Sequence, residues 1–252
     1  MTCASRDQEV DAAPPTWFER VRPFAGAAVR YARMLWVPLW TALVVSGCTS
    51  EAGKTRELAE GGNATAQYKL AEILFEGNAE DQNIEQALLW YRKAADGGNA
   101  DAQAKLGHLY MAGDVVQRNY VTAASWYRQA ALQGHSDAQA EYGDLYYLGY
   151  GVPQDYGEAM KFFQEAASQR HVRAQFRLAE MYADGRGVPR DLVLAHMWAN
   201  LAAAQGDRQA LVLRDVLASK MTTEQLVDAQ RQAREWGETR HARQPLGTVL
   251  SP

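Results

Sequence analysis

Cysteine is nearly absent. The 252-residue chain has two, Cys3 and Cys48, and nothing after Cys48 can form a disulfide framework or a Cys-x-x-Cys metal pair. Histidine is scarce as well, with five residues at positions 108, 135, 171, 196 and 241. Neither a His-Glu-x-x-His nor a Gly-x-Ser-x-Gly motif occurs. Carboxylates are plentiful, yet no spacing pairs two of them in a pocket, so no catalysis, metal or cofactor is expected. The net charge is −4, and no basic stripe interleaved with aromatics is present to attract nucleic acid.

What the chain does have is a period. "GYGVPQD" at 149–155 returns as "GRGVPRD" at 185–191, and stepping back by the same 36 residues reaches Gly113 and Gly77. A phosphate-binding loop is not built four times at one interval. The dinucleotide fingerprint needs a third glycine where Gln154 and Arg190 stand. The glycines therefore read as punctuation in a repeat, and a repeat sets the architecture. Ala-Gln pairs start at Ala66, Ala102, Ala138 and Ala174, and Ala210 keeps the register in a divergent fifth copy. Leu70, Leu106, Tyr142 and Leu178 follow the same period, as do Leu74, Tyr110, Tyr146 and Tyr182. Small residues recur at Ala71, Gly107, Gly143 and Ala179, and again at Ala87, Ala123, Ala159 and Ala195.

Each unit reads as two helices. In "DAQAKLGHLYMAG" the apolar residues fall three and four apart, on one helical face. The glycine then ends the helix in a left-handed conformation. A turn follows, closing at Asn83, Asn119, Asp155 or Asp191, which are good N-cap types for the second helix. Small residues in the first helix let the neighbouring backbone approach. The aromatic series Trp90, Trp126, Phe162 and Trp198 is expected to fill the space opposite as core, each ring burying ~150–250 Å².

With these positions aligned, "DAQAKLGHLYMAG…AASWYRQAALQGHSDAQ" resembles the Sel1-like repeat, a relative of the tetratricopeptide repeat. The run "AHMWANLAAAQGDRQA…RDVLASKMTTEQLVDAQRQAREW" is similar to the ending of bacterial Sel1-like proteins. The resemblance implies an all-α, right-handed α/α solenoid of helix-turn-helix units with a C-terminal capping helix, built to bind other macromolecules. Four units are expected over 64–207. A divergent fifth unit and the capping helix follow over 208–237, the helix opening on the capping box Thr222…Gln225 and stopping at Gly237. Residues 49–63 form a linker and partial N-terminal cap, because "LAEGGNATAQ" copies the end of a second helix. Residues 238–252, polar and interrupted by Pro245, read as a disordered tail.

Residues 1–48 do not share the repeat. "MLWVPLWTALVVSG" (34–47) is a 14-residue uncharged run behind Arg30 and Arg33, too short to span a membrane but suited to a signal peptide. It leads into Val45-Ser46-Gly47-Cys48, which resembles a bacterial lipobox with Cys48 as the lipidated residue. Initiation further in, for instance at Val29, would shorten the leader. Thr49 after the cysteine implies, by the same resemblance, an outer-membrane lipoprotein facing the periplasm.

In related helical repeats the first helix of each unit lines the concave face. On that face fall Tyr68, Glu72, Phe75 and Glu76, then Asp101, His108 and Met111, then Asp137, Asp144, Tyr147 and Leu148, then Arg173, Phe176, Glu180 and Asp184. Seven carboxylates against one arginine predict a groove for a peptide with basic and apolar anchors. The expected function is a non-catalytic adaptor of the bacterial cell envelope, binding another envelope protein or peptide. The alternative is a structural lipoprotein that binds peptidoglycan or another glycan. A cysteine-rich branch of the same family is associated with penicillin binding and β-lactamase activity, but its cysteine pairs are missing from these repeats.

Overall fold

Side-chain caps divide the chain into helices at a fixed interval. The computed structural model describes residues 51–77 and 83–241, which form eleven α-helices. They are α1 (Glu51–Glu60), α2 (Ala64–Glu76), α3 (Ile84–Asp96), α4 (Ala100–Ala112), α5 (Tyr120–Leu132) and α6 (Ser136–Leu148). The series continues with α7 (Tyr156–Ser168), α8 (Val172–Asp184), α9 (Leu192–Ala203), α10 (Arg208–Ala218) and α11 (Thr223–His241). The even-numbered helices α2 to α8 open the units, the odd-numbered α3 to α9 close them, and each opening helix packs on the helices before and after it. The result is the expected all-α solenoid. The leader, Cys48 and the tail from 242 onward lie outside the described residues.

The second helices start as the sequence predicts. Asn83, Asn119, Asp155 and Asp191 each accept a bond from a backbone N–H two or three residues on. Their own N–H groups donate back to Leu74, Tyr110, Tyr146 and Tyr182 carbonyls at 2.9–3.0 Å, which closes each turn. Gly113, Gly149 and Gly185 end the first helices at φ of 78°, 75° and 73°, in the left-handed region. Gly77 differs. Its φ is −51° and ψ 157°, so the first turn leaves α2 in an extended conformation.

The Ala-Gln pairs turn out to be the inter-repeat staple. Gln67, Gln103, Gln139 and Gln175 are buried. Their side-chain amides donate to the carbonyls of Ala59, Ala95, Ala131 and Ala167 at 3.1, 3.0, 3.2 and 3.4 Å. Those carbonyls sit in the last turns of the preceding helices, where each also accepts from the turn N–H of Gly62, Gly98, Gly134 or Arg170. The glutamine oxygens of 103, 139 and 175 accept from Gln133, Gln169 and Gln205 at 2.7–2.8 Å.

The aromatic core is one residue away from the expected series. Trp90, Trp126 and Phe162 are half-buried, and only Trp198 is buried. The filled positions are Tyr91, Tyr127 and Phe163, at 0, 2 and 0% exposure. One residue is a 100° step around the helix, so a series half-buried at the flank lies beside one that points inward. Small residues oppose this second series. A Cβ on Gly107 would lie 2.8 Å from Tyr127 Cδ1, and one on Gly143 would lie 2.8 Å from Phe163 Cε1.

The ends also differ from expectation. The Thr222–Gln225 capping box forms, with bonds of 3.0 and 3.3 Å. Yet α11 runs through Gly237 to His241 instead of stopping at Trp236, so residues 238–241 are helical. A glycine weakens a helix by about 0.5–1 kcal/mol but ends it only when the chain turns left-handed there. The helix packs on α9 and not back along α10, with Trp236 edge-on to Trp198 at 5.4 Å. At the other end α1 begins at Glu51, and buried Ala59 joins the first core cluster.

Two glycine-to-alanine changes should act in opposite directions. Gly143→Ala forces a methyl against the Phe163 ring and is expected to cost about 1–3 kcal/mol in urea melts. Gly237→Ala, with no atom within 4 Å of the new Cβ, is expected to stabilise by about 0.5–1 kcal/mol. An unchanged midpoint for Gly143→Ala would contradict the close helix approach.

Candidate functional site

A groove of about 860 Å³ runs across the opening helices of the central units. Its wall is built by α4, α6 and α8 with Tyr68 of α2, and its floor includes Tyr127 of α5. The expected face residues Tyr68, Asp101, His108, Asp137 and Arg173 come together in it. The other expected contacts are placed differently.

Asp144 is buried at 5% exposure and Tyr147 at 8%, and neither lines the groove. Asp144 is held between Arg173, at 3.0 Å, and Arg177, at 2.8 Å. Tyr147 lies under the guanidinium groups of Arg177 and Arg186, at 5.6 and 5.5 Å from its ring centre, and its hydroxyl accepts from Arg186. Glu180 pairs with Arg177 at 2.9 Å. In the first unit Glu72 accepts from the Tyr91 hydroxyl and pairs with Lys105 at 3.2 Å. Lys105 also sits over the Phe75 ring at 4.8 Å. Met111 and Phe176 are half-buried and lie outside the groove lining. The expected acidic excess is therefore reduced within the fold: Lys105 and Arg177, absent from the count of seven to one, pair with Glu72 and with Asp144 and Glu180.

The first helices are capped in series by Asn63, Asn99, His135, His171 and Asp207. In the two histidine caps Nδ1 accepts from the N–H of Ala138 and of Ala174, at 3.2 Å in both. Nε2 lies 3.3 Å from Asp101 in one and 3.2 Å from Asp137 in the other. Each imidazole is thus used as a neutral ring, with Nδ1 accepting and Nε2–H donating. Burial pulls His171 below its ordinary 6.5, with Asp137 opposing the shift and Arg173 adding to it. Both histidines line the groove, so they are caps and wall at once.

Three further features escaped the sequence reading. Position 62, 98, 134 and 206 are glycines with φ of 84–95° in the turn that enters each first helix. Arg170 occupies the same place in the fourth unit at φ 67°, the only non-glycine with positive φ among the described residues. Left-handed backbone costs an L-residue roughly 1–2 kcal/mol. Its side chain lines the groove, and among the described residues it makes no ion pair. The Tyr127 hydroxyl is buried with no hydrogen-bond partner, whereas Tyr91, one unit earlier, has Glu72. At the position of Glu72 the second unit carries exposed His108. Burial pushes the Tyr127 phenol well above its ordinary range, so it stays a neutral donor. The 36-residue register alone could have exposed Arg170, as the one break in a column of glycines. Nothing in the sequence marks Tyr127 as unpartnered.

The histidine caps predict a pH dependence. His171 has a folded-state value below the ordinary one, so its contribution is present above about pH 6.5 and lost as pH falls below it. Protonation turns Nδ1 into a donor and breaks the cap, while Asp137, Glu141 and Asp144 oppose that loss and Arg173 favours it. His171→Asn restores the cap type of Asn63 and Asn99. Its melting temperature is expected to fall less than that of the wild type between about pH 7.5 and about pH 5. Parallel pH curves for the two proteins would rule the coupling out.

Comparison with known proteins agrees with this geometry. The chain is similar to a Sel1 repeat protein from Oxalobacter formigenes, at 29% identity and a TM-score of 0.60, covering 76% of this chain and 78% of that one. It is also similar to c5321, a protective antigen present in uropathogenic Escherichia coli strains that displays an SLR fold, at 28% identity and a TM-score of 0.52 over 80% of this chain. The chain spans about half of that protein, 52% of its length. No curated protein matches it. The Sel1 repeat model matches residues 64–99, 100–135, 136–171 and 172–207 in unbroken succession, and the chain belongs to the Sel1 repeat family.

Proposed function

We propose that this protein is a non-catalytic scaffold of the bacterial cell envelope that receives a partner protein in the groove over α4, α6 and α8, and is held at the membrane by a lipid on Cys48. The groove is the observation that carries the reading. Its volume is that of a ligand-binding cleft, and it is walled by capped helices and the turns that enter them. Its side chains include exposed polar groups at Asp101, His108 and Asp137 beside the apolar surfaces of Tyr68 and Val172. Sel1 repeats in general serve protein–protein interaction, and a stacked array offers such a surface without a catalytic constellation. Among the described residues no cluster of three metal-ligating side chains occurs and no helix is long and apolar enough to cross a membrane. The membrane attachment of this reading is the lipid on Cys48.

The test uses a photoreactive residue in living cells. Placed at His108 or Asp137 in the groove, it is expected to capture the same partner. Placed at Val121, exposed on α5, it is expected to capture none. Cys48→Ser should move the protein from the membrane fraction to the soluble one. Equal capture from Val121, or co-sedimentation of the purified protein with cell-wall sacculi and no protein partner, would overturn the scaffold reading of the groove.

A further inference from the structure

Most of the charged groups of the groove are matched within the fold. Asp101 and Asp137 meet the histidine caps, Lys105 meets Glu72, and Arg173 meets Glu141 and Asp144. Two of the lining groups without a partner in the fold stand out. Arg170 has no ion pair, and the Tyr127 hydroxyl has no hydrogen-bond partner. Both are donors. One is held in a left-handed backbone where four other units use glycine. The other is 2% exposed at the groove floor, where an unmade hydrogen bond is costly.

Backbone strain and an unpaired buried donor both destabilise the free protein, and both fall in one groove. Such features persist where a ligand completes them. We propose that the groove binds an acidic peptide segment, with a carboxylate side chain held by the Arg170 guanidinium at the rim and a peptide oxygen accepting from the Tyr127 hydroxyl at the floor. Arginine suits the first task because its planar donor fork matches a carboxylate. A peptide fits better than phosphate or a polyanionic glycan because Asp101 and Asp137 stay exposed along the wall, with side chains 58 and 73% accessible. Those carboxylates accept bonds from peptide N–H groups but repel a ligand that carries only negative charge. The charge sense is the reverse of the basic peptide expected from counting carboxylates in the sequence.

This inference rests on the groove being the partner site, and the experiment separates the two. Three pools of short labelled peptides, enriched in Asp and Glu, in Lys and Arg, or in neither, are titrated into the folded protein. Fluorescence anisotropy gives affinity, and backbone NMR shifts report whether the α4, α6 and α8 amides lining the groove respond. The acidic pool is expected to bind best and to shift those amides. Arg170→Gly and Tyr127→Phe should each weaken it by about tenfold, the loss of one hydrogen bond to a charged or buried partner. Neither variant is expected to unfold the stack, since glycine is the residue of the other four turns and phenylalanine is the residue at 163. A basic pool that shifts the groove amides would overturn the acidic assignment and leave the groove as the site. Acidic binding unchanged in both variants would overturn the roles of Arg170 and Tyr127. Binding of inorganic phosphate alone at Arg170 would overturn the peptide, and peptide binding that shifts only other amides would remove the groove itself.

Discussion

A buried primary amide has to satisfy both a donor and an acceptor, and that requirement holds the units of this protein in register. Gln103, Gln139 and Gln175 each reach the last turn of the preceding helix with the nitrogen and receive on the oxygen the glutamine just past their own unit's second helix. A hydrophobic contact between helices tolerates sliding, because area is conserved over small shifts. A two-sided amide does not: moving it by one residue strands its buried donor, at about 1–3 kcal/mol. The apolar packing supplies most of the stability of the stack, and the glutamine ladder supplies its register.

Register in turn positions the groove. Because each unit adds the same step, whatever stands at one place in one unit meets the corresponding place in the next. The cap of α6 reaches Asp101 of α4, and the cap of α8 reaches Asp137 of α6, in the same geometry. The groove wall is thus a ladder of caps and first-turn carboxylates. Its rigidity comes from the bonds that start the helices, so the polar surface is ordered by the same interactions that define the secondary structure.

Much of this was legible in the sequence because a repeat makes one observation several times. The period, the two helices per unit, the Asn and Asp caps at 83, 119, 155 and 191, and the Thr222 capping box all follow from residue type and spacing. What failed did so for physical reasons. Trp90 and Tyr91 are adjacent aromatics, and periodicity over a four-turn helix does not resolve which of two neighbours points inward. Gly237 reads as a stop because glycine often ends helices, but it does so only in the left-handed region, and here the backbone stays helical to His241. Counting charges on a face failed more deeply. Asp144 and Glu180 are neutralised by arginines one turn away or in the next unit, and only the folded arrangement shows which charges remain unspent.

Exceptions to the repeat locate the site better than the repeat itself. A packing column varies within a chemical type, as Tyr142 does among leucines and Phe162 among tryptophans. Three columns break in the central units: histidine replaces asparagine at caps 135 and 171, His108 stands where Glu72 completes Tyr91, and Arg170 stands in a column of glycines. Each break is neutral or unfavourable for the free fold. Arg170 strains the backbone, His108 leaves Tyr127 unpaired, and a histidine cap is lost on protonation. All three line one groove. Independent drift would scatter such departures over the convex helices as readily as over the opening ones. Their convergence on a single surface is the structural ground on which the proposed partner site rests.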